Sequence, residues 1–216
     1  MRFLSSFLAV ALLITACGGS DSAELEASSE EIVVLNAMAR LTPAEVFSAV
    51  SPSLVYVQMP DSTGSGVLLS SGYVVTNAHV VGHSLTVKLF TSVGEISEVP
   101  VYAKDWSRDV ALIGPVSFDQ LDEELAGLNF GSSETASVGD AVYLIGYPGE
   151  FETKPDPSIT SGILSRRRVA KCLGMTFLQT DALIAPGQSG GALVNGELAV
   201  DTGAGGVGGG ADGRRL

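Results

Sequence analysis

From Leu54 onward the chain alternates brief apolar or β-branched runs with clusters of Gly, Ser, Asp and Pro. A first series comprises Leu54–Gln58, Gly66–Leu69, Tyr73–Thr76, Leu85–Phe90 and Val110–Ile113. A second comprises Ala141–Ile145, Ser158–Leu164, Met175–Gln179, Gly191–Val194 and Glu197–Val200. Short strands at regular spacing, bounded by turn residues, predict an all-β protein built from barrels. The intervening stretch from Phe118 to Leu128 is the expected connector between two halves. One short helix precedes the strands: Thr42 can cap it, Pro43 stands where a missing N–H costs nothing, and Glu45 completes a capping box. It ends near Val50, before Pro52.

The first residues follow a different pattern. Arg2 precedes an apolar run from Phe3 to Ile14, too short for a permanent membrane helix, and Thr15-Ala16-Cys17 follows. Small residues before a cysteine have the form of a lipobox. The expectation is a signal peptide over residues 1–16 and an acylated Cys17 that anchors an exported protein to a membrane facing the periplasm or cell exterior; attachment by several acyl chains is stable. An ordinary signal peptide cut nearby is the alternative. Residues 17–41 carry the lipidated cysteine and a tether whose first half is rich in Ser, Ala and acid, with folding expected from residue 42.

Composition narrows the function. With 216 residues and 45% hydrophobic content the chain can bury a sizeable core. Its formal charge is −12, and removal of residues 1–16 takes away only Arg2 and leaves −13. Such a surface repels phosphates, so nucleic acid is excluded as a partner, whereas basic or unfolded cationic segments would be attracted. The same acidity also keeps an exported protein soluble. Cys172 is the only cysteine besides Cys17, so no intrachain disulfide framework is expected.

Three motifs carry chemistry. Thr76-Asn77-Ala78-His79 ends a β run, Arg108-Asp109 enters the apolar stretch Val110–Ile113, and Gly187-Gln188-Ser189-Gly190-Gly191 is a glycine-serine loop. A serine hydroxyl needs an imidazole to take its proton, and the imidazole needs a carboxylate to hold its tautomer and orientation. His79 is the candidate general base, Asp109 its orienting carboxylate and Ser189 the nucleophile. Asp105 competes with Asp109, but only Asp109 leads directly into the apolar strand, where burial would stiffen its hold; Asp105 is expected in a turn. Glycines around Ser189 allow backbone N–H groups to converge, and the amides of Gly187 and Ser189 are the expected oxyanion hole. A zinc pair of His79 and His83 lacks the glutamate and third ligand such sites use, so neither metal nor cofactor is expected. Arg166-Arg167-Arg168 reads as a solvated basic patch in a loop.

These motifs resemble the trypsin-like serine proteases of chymotrypsin double-barrel fold, most closely the HtrA (Do/Deg-type) branch. The resemblance is carried further by Ser51-Pro52-Ser53-Leu54-Val55, Gly64-Ser65-Gly66-Val67, Ala103-Lys104-Asp105-Trp106-Ser107, Ile145-Gly146-Tyr147-Pro148 and Gln179-Thr180-Asp181-Ala182. It implies two packed six-stranded antiparallel barrels over residues 42–203 and a serine endopeptidase working through an acyl-enzyme in extracytoplasmic protein quality control. It also implies that the second aspartate of Asp105 and Asp109 belongs to the triad. Ile184, five residues before the serine, becomes the wall of a specificity pocket for small or medium apolar side chains. Protein or peptide substrates, perhaps unfolded, and a homotrimer are the implied partners. Residues 204–216 read as an irregular glycine-rich tail where the family has further strands, so the second barrel is expected to be incomplete. The competing expectation is a catalytically impaired, membrane-tethered binding protein; a metal-dependent hydrolase built on His79 and His83 is a third.

Overall fold

A computed structural model describes residues 40–120, 125–149, 155–196 and 200–201. The signal peptide, Cys17, the tether and the glycine-rich tail lie outside these residues. The first described element is α1 (Pro43–Val50), with the expected capping box: the Glu45 N–H donates to the Thr42 hydroxyl at 3.3 Å and the Thr42 N–H donates to the Glu45 carboxylate at 2.8 Å. The Thr42 hydrogen bonds hold the Glu45 carboxyl below its usual range. The helix buries Val46 and Val50.

Six strands follow and close antiparallel into a barrel: β1 (Leu54–Gln58), β2 (Thr63–Leu68), β3 (Val74–Thr76), β4 (Thr86–Phe90), β5 (Glu95–Asp105) and β6 (Val110–Ile113), in the spatial order β1-β2-β3-β6-β5-β4. A short helix, α2 (Ala78–Val81), lies between β3 and β4. The second half is a five-stranded sheet of β7 (Ala141–Gly146), β8 (Ser158–Ala170), β9 (Met175–Thr180), β10 (Ala192–Asn195) and β11 (Val200–Asp201), ordered β11-β10-β7-β8-β9. The all-β expectation therefore holds, with one closed barrel and an open second sheet among the described residues. Of the expected strand Glu197–Val200, residues 197–199 lie outside them.

Two elements depart from the sequence reading. β5 is absent from the predicted strands because its apolar period is broken: Ile96 and Val99 are buried three residues apart, Glu98 between them takes a left-handed φ of 58°, and Pro100 interrupts the run. An extra residue at a bulge lets a strand turn while keeping both apolar side chains inward. The second departure corrects the placement of Arg166, Arg167 and Arg168 in a loop. They belong to β8, opposite Gln179, Leu178 and Phe177 of β9. Charge concealed the continuation of the predicted Ser158–Leu164 strand to Ala170, but long aliphatic stems can lie on a sheet while their ends find polar partners. Arg167 Nη1 donates to the Ala136 carbonyl at 2.7 Å, and the Arg168 guanidinium lies 5.6 Å from the centre of the Phe177 ring.

The continuous apolar run of β1 has its explanation in burial of both faces. Val55 and Val57 pack inside the barrel with Leu68, Val74, Leu89 and Ile113. Leu54 and Tyr56 face the other way, into a cluster formed with α1, Ile145, Tyr147, Ala192 and Val194. This second cluster joins the barrel to the five-stranded sheet, with the Tyr56 ring 5.7 Å from Tyr147 and 6.0 Å from Phe90. Val142, Leu144, Leu164 and Leu193 form a third cluster. Leu89 is fully buried in the barrel. Its replacement by alanine is expected to reduce unfolding free energy by about 2–5 kcal/mol, read as a lower urea midpoint at unchanged m-value.

Candidate active site

β3 ends at Thr76 and the chain turns at Asn77 into α2, which carries His79 beside the buried Ala78, Val80 and Val81. Burial of those neighbours fixes the helix and leaves His79 on its open side, with half of its side chain exposed. Lys104 braces the far end, donating from Nζ to the carbonyls of Gly82 at 2.9 Å and Ser84 at 2.7 Å. Asp109 meets the imidazole from the turn before β6: His79 Nδ1 lies 2.6 Å from Asp109 Oδ2, and the His79 N–H donates to Oδ1 at 2.9 Å. A carboxylate only accepts, so this contact suits the tautomer of a neutral imidazole with its proton on Nδ1 and Nε2 as the basic nitrogen.

Asp109 is held differently from the sequence expectation. Its side chain is 35% exposed, so burial does not immobilise it. Hydrogen bonds do: Asn77 Nδ2 donates to the Asp109 carbonyl at 2.9 Å and to Oδ2 at 3.2 Å. The backbone of Asp109 has a left-handed φ of 55°, uncommon for a residue with a side chain, which those contacts maintain. Asp105 occupies the expected turn, accepting at Oδ1 from the N–H groups of Ser107 and Arg108 and at Oδ2 from Arg108 Nη1. The Arg108 side chain holds the Asp105 carboxyl below the ordinary carboxylate range.

Ser189 lies on the loop between β9 and β10, and four successive carbonyls of that loop have partners. Pro186 O accepts from Gly149 N–H at 2.7 Å, Gly187 O from the Ser65 hydroxyl at 2.9 Å, Gln188 O from Gly191 N–H at 3.0 Å and Ser189 O from Ser65 N–H at 2.8 Å. A trans peptide points its C=O and N–H in opposite directions, so each carbonyl bond also aims the next N–H. The N–H groups of Gly187 and Ser189 have no hydrogen-bond partner among the described residues. Gly187 has a φ of 89°, and a Cβ there would collide with the Gly149 backbone. Only glycine suits that position.

The serine loop and the His79 helix meet at β2. A Cβ added to Gly64 would stand 2.6 Å from Val80 Cγ1 and 3.2 Å from Ser189 O, so this glycine lets α2 and the loop approach one strand. Among the described residues no hydrogen bond joins the Ser189 hydroxyl to His79. Ile184 is 39% exposed beside the more exposed Leu183, and His83 packs its ring 5.4 Å from Trp106. Cys172 is free and exposed in the turn between β8 and β9. Roles that the motifs did not reveal belong to Ser65, Asn77, Lys104 and Gln188. Gln188 is buried, accepting from the Ala185 N–H at 2.8 Å and donating to the Ser158 hydroxyl at 2.9 Å. The signal for Ser65 was a small polar residue between two glycines inside an apolar strand, a place where a close approach is expected.

The closed barrel and second antiparallel sheet, with a His-Asp pair on one and a glycine-serine loop on the other, place the molecule in the double-barrel peptidase class. The chain belongs to the trypsin-like peptidase domain family, which matches residues 64–200. Within it the similarity runs to HtrA-type proteases. The chain is 35% identical over 170 residues to the mitochondrial serine protease HTRA2 of Bos taurus, covering 70% of this chain and 35% of that protein. It is 40% identical over 149 residues to the periplasmic serine endoprotease DegP of Salmonella typhimurium, covering 62% and 28%. The chain thus spans about a third of the length of these relatives. Among solved structures, a serine endoprotease from Yersinia pestis superimposes with a TM-score of 0.57 at 30% identity over 72% of this chain and 54% of that one. The HtrA-type protease AlgW with a tripeptide gives 0.60 at 29%, over 74% and 52%.

Because Asn77 braces Asp109, Asn77→Ala is expected to loosen the His79–Asp109 pair. The low-field Nδ1 proton of His79 in proton NMR should be sharp in the parent and broadened by solvent exchange in the variant.

Proposed function

We propose that the protein is a serine endopeptidase in which Ser189 attacks the substrate carbonyl, His79 Nε2 takes the hydroxyl proton and later donates it to the leaving amine, and Asp109 holds the imidazole. The observation that carries this reading is the 2.6 Å contact between His79 Nδ1 and Asp109, because it leaves Nε2 as the base. The amides of Gly187 and Ser189, without a hydrogen-bond partner among the described residues, support it further. Both are available to a developing oxyanion, and one such donor contributes about 3–4 kcal/mol to the transition state in comparable sites. Collapse of the tetrahedral intermediate expels the amine and leaves an acyl-Ser189, which water hydrolyses by the same steps.

Ile184 forms the wall of the specificity pocket in this reading, so small or medium apolar side chains are preferred over Arg or Lys at the cleaved bond. The lipobox at Thr15-Ala16-Cys17 supports a lipid-anchored, extracytoplasmic location. Protease residues 42–203 then act on unfolded protein segments in quality control, and assembly as a homotrimer belongs to the same proposal. A second reading, a tethered binding protein of impaired activity, is favoured by the lack of a Ser189–His79 hydrogen bond among the described residues.

A fluorophosphonate probe separates the two. Labelling of the parent, lost in both Ser189→Ala and His79→Ala, is expected. Peptide hydrolysis should fall by about 10³-fold or more in each variant. An unlabelled but folded parent, by circular dichroism, would overturn the protease reading in favour of the binding protein.

A further inference from the structure

Ser65 is fully buried on β2, and each of its polar groups is engaged. Its N–H donates to Ser189 O at 2.8 Å and its carbonyl accepts from the Thr76 hydroxyl at 2.6 Å. Its hydroxyl lies 2.8 Å from the Tyr147 nitrogen and 2.9 Å from Gly187 O. The Tyr147 N–H can only donate, so it occupies a lone pair of the Ser65 oxygen, and the single hydroxyl proton goes to the Gly187 carbonyl. The direction of this bond is therefore determined by chemistry.

From this geometry we infer that Ser65 is a positioning residue for the oxyanion hole, a role that rests on the protease reading above. Its hydroxyl pins the peptide between Gly187 and Gln188, and its N–H pins the peptide between Ser189 and Gly190. These alternate with the two peptides that present the Gly187 and Ser189 N–H groups, which Gly149 and Gly191 orient. Rotation of either presenting peptide must be accommodated by its neighbours, so anchoring the alternate planes resists a flip that would turn a carbonyl into the hole. The anchor comes from the closed barrel, which also carries His79, through a side chain that touches no substrate.

Ser65→Ala removes the hydroxyl and keeps the backbone bonds; Ser65→Cys keeps a weaker donor of similar size. The full chain and both variants would be compared on a fluorogenic peptide with an apolar residue at the cleaved bond, with active sites counted by the fluorophosphonate. Affinity for a peptide boronic acid, which forms a tetrahedral adduct with the serine, and the His79 Nδ1 proton resonance complete the measurement. Ser65→Ala is expected to lower kcat by about 10- to 100-fold with KM nearly unchanged, since a displaced donor is a partial form of a deleted one. Boronate affinity should fall in parallel, the Cys variant should lie between, and the His79 resonance should stay in place. A lower melting temperature with unchanged kcat and boronate affinity would overturn the inference and make Ser65 a packing residue, as would failure of both variants to fold. A parent that neither labels nor cleaves would overturn the protease reading itself.

Discussion

The hydrogen bond from the Ser65 N–H to the Ser189 carbonyl joins the serine loop to the closed barrel, and the rest of the site is arranged around it. β2 can make this bond because Gly64 has no side chain to keep the loop and the Val80 side chain away. The barrel is a suitable base because its six strands close, leaving no edge that can slide. His79 and its carboxylate partner stand on elements of that same barrel, so strand pairing and core packing set where they lie relative to the strand that holds the loop.

Rigidity is distributed unevenly around the site. The His79 helix is held from below by buried Val80 and Val81 and at its end by Lys104. Asp109 is exposed enough that hydrogen bonds from Asn77 and the His79 backbone do the work burial would otherwise do. The serine loop is held through its carbonyls at Pro186, Gly187, Gln188 and Ser189 and by the buried Gln188 side chain, and the N–H groups of Gly187 and Ser189 have no partner among the described residues. Two N–H groups close together in one loop, with the neighbouring carbonyls engaged elsewhere, are electrostatically suited to negative charge.

Much of this was legible in the chain. Strand β1, the helix cap at Thr42 and the order of the His, Asp and Ser motifs follow from local patterns, because capping, turn chemistry and apolar runs act over a few residues. β5 was not legible, since its bulge at Glu98 breaks the period-2 signal, and of β8 only Ser158–Leu164 could be read, the arginines hiding the rest behind charge. Gly64 and Gly66 flag a close approach at Ser65, but its partners could not be read, nor could the role of Gln188: Tyr147 and Gly187 for Ser65, and Ser158 for Gln188, are distant in the chain.

By itself the sequence determined which groups are available: one imidazole after a strand, one carboxylate before another, one hydroxyl among glycines, and an all-β chain to hold them. Local residue chemistry suffices for that. Only the tertiary structure decided which nitrogen of His79 faces Asp109, that hydrogen bonds rather than burial fix that carboxylate, and which carbonyls of the serine loop are engaged by Gly149, Ser65 and Gly191. Those outcomes depend on the closing of a barrel, where strands distant in the chain are brought within hydrogen-bonding distance and each peptide plane must satisfy its neighbours.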